Sequence, residues 1–332
     1  MIQEWEAAHW TPNHLASLAG DTKFNCRLQC RFCFQKAGAI QWEGECHHVM
    51  SSVAEFLSWI ESKTDDDDKN PALSFYDPKI FWCYLDYKNL DSVVKEKGVI
   101  NKAIDWSCFG LVEEEPFQNY VWLGSQGAHT PCHYDTYGFN LVVQLYGSKR
   151  WILFPPEDTE NLYPTRIPYE ESSVYSEVNI KNPDFNKHPK FKNSKPHVII
   201  LKAGQVLYVP WKWWHFAECL ETSLSINTWL QLPEDNASRV EEAVARMIFS
   251  KWMTFNKNTD HWLNPNEDVE SDDINAGYLS QTLYLLSHNP PRILTPQTQS
   301  TKYSDAKIPT PTDGSDKTEQ FYCGSCVFCL KH

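Results

Sequence analysis

His133-Tyr134-Asp135 sets an imidazole and a carboxylate two residues apart, a spacing that on an extended strand turns both side chains to one face. Both then address one ion. A second histidine, His215, comes much later, behind Gly204-Gln205-Val206-Leu207-Tyr208-Val209-Pro210 and the aromatic run Trp211 to Trp214. Two histidines and one carboxylate make the ligand set of non-haem Fe(II) oxygenases, which keeps coordination positions open for a cosubstrate and O₂. Any one of these residues alone is more often a hydrogen-bonded group of the core or surface, so the neighbours matter. Thr130 precedes His133 by three residues, and Lys149 opens a strand after Gly147-Ser148, so that a hydroxyl and an ammonium can converge on an anion beside the metal. A lysine inside a β-structure needs a carboxylate partner, because burying its charge alone is costly. A dicarboxylate meets that need. Asn140 and Asn227, each between apolar strand residues, offer amide donors for the second carboxylate, or are ordinary turn or edge-strand asparagines.

The elements that must carry these residues are short β-type runs punctuated by Gly and Pro: Tyr120 to Leu123, Phe139 to Tyr146, Lys149 to Phe154, His197 to Leu201, Val206 to Val209 and Ser223 to Leu230. Such spacing predicts a sandwich or barrel. The polar, proline-containing stretch from Tyr163 to Pro196 is too long for a hairpin and reads as a functional insert over one end of it. Upstream, Thr11-Pro12 with Leu15, Leu18 and Gly20 predicts a capped helix, and Ser52 to Glu55 is a capping box for a helix reaching about Lys63. Phe24 to Phe34 alternates apolar residues with Asn25, Arg27, Gln29 and Arg31, the pattern of a strand with one buried face. After Pro233, Val240, Ala243, Val244, Met247, Ile248 and Trp252 recur at helical spacing, and Ile274 to Leu286 forms a second stripe. The expected division is a mixed α/β flank over 1–110, a β core over 111–232, a helical subdomain over 233–289 and a disordered, Cys-ended tail over 290–332.

Composition narrows the partners. The chain has 332 residues, 42% of them hydrophobic, with 14 Trp, enough for a substantial core. A net charge of −13 disfavours a phosphate-backbone partner and favours a basic peptide. No apolar run approaches the ~18 residues of a membrane span. Eleven cysteines in a chain of this length, with no hydrophobic signal segment after Met1, predict free thiols in a reducing compartment, the cytoplasm or nucleus. Cys26, Cys30 and Cys33 match the CxxxCxxC spacing of cluster-binding radical enzymes, but the alternation sends Cys33 to the other face of the strand, where it cannot converge with the first two. Cys323, Cys326 and Cys329 lack a fourth ligand for zinc unless His332 or a partner supplies it. Cys46-His47-His48 is similarly weak.

Thr130-Pro131-Cys132-His133-Tyr134-Asp135, then Lys149 to Pro156, then Gly204 to Pro210 with Trp213-Trp214-His215 together resemble the Jumonji-C family of 2-oxoglutarate oxygenases over roughly residues 1 to 262. The likeness is to the group of the hypoxia-inducible-factor asparaginyl hydroxylase, and Leu162 to Val174 is similar to its branch associated with small heat-shock proteins. The resemblance implies a double-stranded β-helix, a cupin-like jelly roll that is mainly β with added helices and a C-terminal helical subdomain. It implies His133, Asp135 and His215 as Fe(II) ligands, and Lys149, Thr130 and Tyr84 (in Tyr84-Leu85-Asp86) on the distal carboxylate of 2-oxoglutarate. Asn140 and Asn227 would lie near the metal-proximal carboxylate and Trp229 in the substrate cleft, with Asn140 needing one residue more after Asp135 than the asparaginyl hydroxylase has.

The implied activity is hydroxylation of a protein side chain, with a role in stress response. Lysine demethylation or RNA hydroxylation are the alternatives within the same chemistry, and a scaffold for a small heat-shock protein is the alternative outside it. The hydroxylase's substrate-gripping glutamine falls near Val174 or Tyr175, so asparagine does not carry over as the substrate. Family members also extend ahead of Trp5, so an early strand is expected to be missing. Their C-terminal helices dimerise, and Ile274, Leu279, Leu283 and Leu286 would do so here unless they are plain core packing.

Overall fold

Antiparallel pairing of the Val-, Ile- and aromatic-rich runs builds two sheets in the computed structural model, which describes residues 2–32, 46–61, 71–96, 98–111, 117–165, 173–255, 271–288 and 329–330. The strands are β1 (Phe24–Cys30), β2 (His47–Ser51), β3 (Phe81–Asn89), β4 (Tyr120–Gly124), β5 (His129–Asp135), β6 (Phe139–Tyr146), β7 (Ser148–Phe154), β8 (Pro164–Thr165), β9 (Ser173–Ser176), β10 (His197–Lys202), β11 (Val206–Val209), β12 (Trp214–Cys219), β13 (Ser223–Leu230) and β14 (Cys329–Leu330). The helices are α1 (Pro12–Ala19), α2 (Val53–Ile60), α3 (Pro71–Ser74), α4 (Leu90–Val93), α5 (Val99–Ala103), α6 (Asp235–Phe255) and α7 (Asp272–His288). The larger sheet runs β14-β11-β6-β13-β4-β3-β1-β2 and the smaller β10-β7-β12-β5-β9-β8. This is the expected jelly roll, mainly β with added helices.

Alternation decides what lies between the sheets. On β13, Leu224, Ile226 and Leu230 turn outward and join Leu15, Phe56, Leu85, Val121 and Val143 in the large core beneath the N-terminal helices. Ser225, Asn227 and Trp229 therefore turn inward, to the cleft described below. Val142, Trp151, Leu153, Leu201, Leu207, Val209 and Ala217 fill the apolar part of the interior between the sheets. Cys132, Phe154, Leu162, Val174, Trp214 and Phe216 form a third cluster, where the insert covers the smaller sheet.

The helix caps match the sequence. Thr11 caps α1, which stops at Gly20 with φ of +56°, and Ser52 with Glu55 closes a full capping box on α2. The mixed α/β N-terminal region adds β3, β1 and β2 to one side of the larger sheet through β4. Two expectations need correction. Strand β1 does not bury one face only: Arg27 and Gln29 are buried as well, the Arg27 guanidinium pairing with Asp86 and donating to the His129 carbonyl on that second face. In the C-terminal helices the apolar stripe is not consumed by packing; α6 lies against α7, yet Val244, Ile248, Ile274 and Leu283 are exposed while Asn275 and Thr282 are buried. Cys329–Leu330 pairs with β11, whereas the rest of the expected tail, with Cys323, Cys326 and His332, lies outside the described residues. Cys33 lies outside them too. No helix among the described residues is long and apolar enough to cross a membrane.

Candidate metal centre and its cleft

His133 and His215 face each other across the β5–β12 pair, their ring centroids 4.3 Å apart. The register there slips by one residue, His215 pairing with His133 but Ala217 with Thr130, so β5 carries a bulge at Pro131-Cys132. That extra residue is what turns Thr130 and His133 to the same interior despite their odd spacing, and a proline without an N–H suits the interruption. Asp135, two residues on, shares the face of His133.

Ligand atoms of His133, Asp135 and His215 all lie within 4.8 Å of one another, the one such His/Cys/Asp/Glu group among the described residues. Nε2 of His133 is 3.6 Å from Asp135 Oδ1, and Nε2 of His215 is 3.9 Å from Oδ2. Each histidine commits its other nitrogen to a backbone carbonyl, His133 Nδ1 to Pro131 at 2.7 Å and His215 Nδ1 to Trp213 at 3.0 Å. The carbonyl contacts assign the proton to Nδ1 and turn each Nε2 toward the point where the Asp135 carboxylate converges. Burial, reinforced by His133, pushes the His215 pKa down to about 4. Burial opposes the Asp135 charge, but His215, His133 and the Trp229 N–H outweigh it and hold its pKa below the ordinary carboxylate value. A neutral His215 imidazole and an ionised Asp135 carboxylate are protonation states a metal ligand set requires. The donors fit a divalent first-row ion such as Fe(II).

These histidines line a cleft together with Thr130, Asn140, Lys149, Asn227, Trp229 and Tyr84. Lys149 is only 2% exposed, and its Nζ donates to Ser225 Oγ at 2.7 Å and Tyr84 Oη at 3.2 Å. Tyr84 in turn shares a hydrogen bond with Thr130. No carboxylate among the described residues stands within ion-pair distance of Lys149; Asp86, whose charge it feels, is paired with Arg27. The rings of Tyr84 and Trp122, 5.4 and 5.9 Å from Nζ, give it partial compensation. Burial lowers the Lys149 pKa and raises that of Tyr84.

Asn140 and Asn227 are not turn or edge residues. They lie on the central strands β6 and β13, buried, with Asn227 Nδ2 donating to Asn140 Oδ1 at 2.8 Å and Trp122 Nε1 donating to Asn227 Oδ1 at 2.7 Å. Sequence reasoning missed Ser225 and Trp122. Ser225 stands two residues before Asn227, so the same alternation that turned Asn227 inward was the available signal. Tyr175 of the insert, which the sequence set only near the position of the hydroxylase's substrate-gripping glutamine, has its ring 5.5 Å from that of His133 because β9 pairs with β5.

Residues 1–236 match the family model described as "Cupin-like domain". The chain is similar to "HSPB1-associated protein 1" of Bos taurus, 44% identical over 284 residues that cover 84% of this chain and 57% of that protein. It is 34% identical over 234 residues to "JmjC domain-containing protein D" of Dictyostelium discoideum, covering 68% of this chain and 49% of that one. To "Lysine-specific demethylase 8" of Xenopus tropicalis it is 34% identical over 127 residues, 38% of this chain and 28% of the relative. In each case the match spans less than two thirds of the relative's length.

Proposed function

The chain belongs to the cupin-like, JmjC-related domain family, and on that footing we propose that it is an Fe(II)- and 2-oxoglutarate-dependent oxygenase that hydroxylates a protein side chain. The observation that carries this is the buried, carboxylate-free Lys149 in the same cleft as the His133, Asp135 and His215 donor set. One end of that cleft suits a metal, and the other holds a positive charge that lacks its counter-ion. A dicarboxylate with a chelating 2-oxo end satisfies both.

His133 Nε2, His215 Nε2 and Asp135 would hold the metal. Lys149, Tyr84 and Thr130 would hold the distal carboxylate, while the Asn140 and Asn227 amides orient the nearer one. Bound Fe(II), with 2-oxoglutarate and O₂, supplies the oxidation: the cosubstrate leaves as succinate and CO₂, and a substrate C–H becomes C–OH. Trp122, Trp151 and Trp229 wall the cleft and keep bulk water from it. On an N-methyl carbon the same hydroxylation would release formaldehyde, so demethylation, for which one relative is named, differs in substrate and not in the residues used. The net charge of −13 favours a basic protein segment as substrate over nucleic acid.

A second reading has its own support. The name of the bovine relative points to a small heat-shock protein, and Val244, Ile248, Ile274 and Leu283 give α6 and α7 exposed apolar surface for such a partner or for a second copy of the chain. Scaffold and enzyme are separated by anaerobic titration of 2-oxoglutarate into the Fe(II)-loaded chain. The oxygenase shows the weak visible charge-transfer absorption of an Fe(II)–2-oxoacid chelate, absent in His215→Ala and Asp135→Ala. A folded, Fe(II)-loaded parent without that band defeats the enzyme reading and leaves the scaffold.

A further inference from the structure

Tyr87 stands in a backbone conformation that ring-bearing residues avoid, with φ of +49°. The cause is local: β3 and β4 pair Leu85 with Leu123 but Lys88 with Val121, so Asp86-Tyr87 is a bulge on β3. A bulge re-aims side chains. Here it lays the Tyr87 ring on Tyr120, at 5.0 Å between centroids and 15° between planes, and against Trp229 at 5.6 Å. Tyr120 meets the same Trp229 edge-on at 5.0 Å. Tyr87 is 51% exposed, whereas Trp229 lines the cleft, so the three rings run from the surface inward.

The inner end of this stack touches the metal centre. Trp229 Nε1 donates to Asp135 Oδ2 at 2.9 Å. An indole N–H has one hydrogen to give and no lone pair to offer, so this contact fixes Oδ2, which lies 3.9 Å from His215 Nε2, and with it the rotation that leaves Oδ1 3.6 Å from His133 Nε2. The histidines are held by backbone carbonyls, whereas Asp135 is held by a side-chain donor, on a ring that packs against Tyr87 and Tyr120.

We propose that Trp229 is the positioning residue of Asp135 and that Tyr87 is the surface contact of the same stack, so that a substrate side chain seated on Tyr87 bears, through Trp229, on the geometry of the metal ligand. This rests on the oxygenase reading and extends it: Tyr87 is a specificity-determining residue at the exposed end of the stack, selecting side chains that pack on a ring face. Its strained backbone is then a feature of the site, since the bulge brings that ring against Trp229 of the cleft.

The test is titration of Co(II), a spectroscopic stand-in for Fe(II), into the full chain with the d–d absorption as readout. Trp229→Phe keeps a ring and removes the donor. It should weaken Co(II) binding roughly tenfold, the lower end of what outer partners of metal ligands contribute, and shift the absorption envelope. Tyr87→Ala should weaken binding about threefold, as expected for one aromatic contact, and move the envelope in the same direction; Tyr87→Phe should match the parent. Parent-like affinity and spectrum in both Trp229→Phe and Tyr87→Ala overturn the proposal. An effect in Trp229→Phe with none in Tyr87→Ala overturns the coupling to the surface. Should Trp229→Phe fail to fold, the half-exposed Tyr87→Ala decides alone. A parent that binds no Co(II) overturns the oxygenase reading itself and this inference with it.

Discussion

Lys149→Met separates stability from function, and the structure sets both magnitudes. The ammonium is buried with two hydroxyls and no carboxylate. Replacing a buried ionic group with an apolar side chain of similar length is often neutral or stabilising by about 1–4 kcal/mol. Against that, Ser225 Oγ and Tyr84 Oη each lose a hydrogen-bond partner, at about 1 kcal/mol apiece, and Tyr84 retains Thr130. The stability of the ligand-free variant should therefore stay within about 2 kcal/mol of the parent in either direction, which at about 2 °C per kcal/mol for a chain of this size moves Tm by no more than about 4 °C.

Ligand binding should move the other way. At a 2-oxoglutarate concentration a hundredfold above its Kd, the parent loaded anaerobically with Fe(II) gains about 2.7 kcal/mol, or about 5 °C in Tm. Truncating one member of a buried charge pair costs about 2–5 kcal/mol, at least a thirtyfold loss of affinity, so the variant should gain under about 1 kcal/mol at the same concentration. Differential scanning calorimetry of both proteins, with and without the cosubstrate, reads the two effects together. An undiminished ligand shift in Lys149→Met refutes the assignment of Lys149 to the carboxylate. A ligand-free variant destabilised by more than about 2 kcal/mol refutes the claim that the charge lacks a partner.

Two further expectations concern pH and backbone. His129 is buried between Trp82 and Phe216, and burial pushes its pKa down to about 4 from 6.5, so the folded metal-free chain should lose stability as pH falls through that window. Within the window the unfolded histidine holds a proton that the folded one lacks, which makes stability rise with pH and reach its full value above about 6.5, for a total of about 3 kcal/mol. Urea unfolding from pH 7 to 4.5 should show this slope, reduced by about 1 kcal/mol per pH unit in His129→Gln; equal slopes would remove His129 as a source. Gly138 has φ of +63°, and a Cβ there would meet the Leu230 carbonyl oxygen at 2.2 Å. Gly138→Ala should cost about 3 kcal/mol or more and weaken Co(II) binding, since Leu230 follows Trp229 directly; a parent-like Tm would show that this turn moves freely.

How far the site could be read in advance depended on whether one rule of spacing was enough. The shared face of His133 and Asp135 follows from period-two alternation, and the bounds of β6, β11 and β13 from β-type runs punctuated by Gly and Pro. The convergence of Thr130 with His133 does not, since a regular strand sends residues three apart to opposite faces, and only the slip against β12 brings them together. Tyr87 was hidden for the same reason: its bulge is visible only in the pairing with β4. On β3 itself nothing alternates, because both faces are covered from Trp82 to Asp86, and a run buried on both sides carries no period to detect. The exposed stripes of α6 and α7 misled in the opposite direction, as periodicity shows that one face is apolar without saying what covers it.

What alternation does establish is the polarity of the interior, and that is the stronger argument for a ligand. Between the sheets, one part of the core is the ordinary apolar fill of Val142, Leu153, Leu201, Leu207 and Val209. Another holds Thr130, His133, Asn140, Lys149, His215, Ser225 and Asn227, every one of them buried. Packing alone gives no reason to place a lysine, two histidines and two asparagines where Val or Leu would add about 1.5–3 kcal/mol each. Their hydrogen bonds satisfy one another only in part, since the Lys149 charge has no anion within ion-pair distance and the His133, Asp135 and His215 ligand atoms converge on one point. A group that is anionic at one end and metal-chelating at the other completes both deficits at once, which is why the polar half of this sandwich reads as a binding site and not as a flaw in its core.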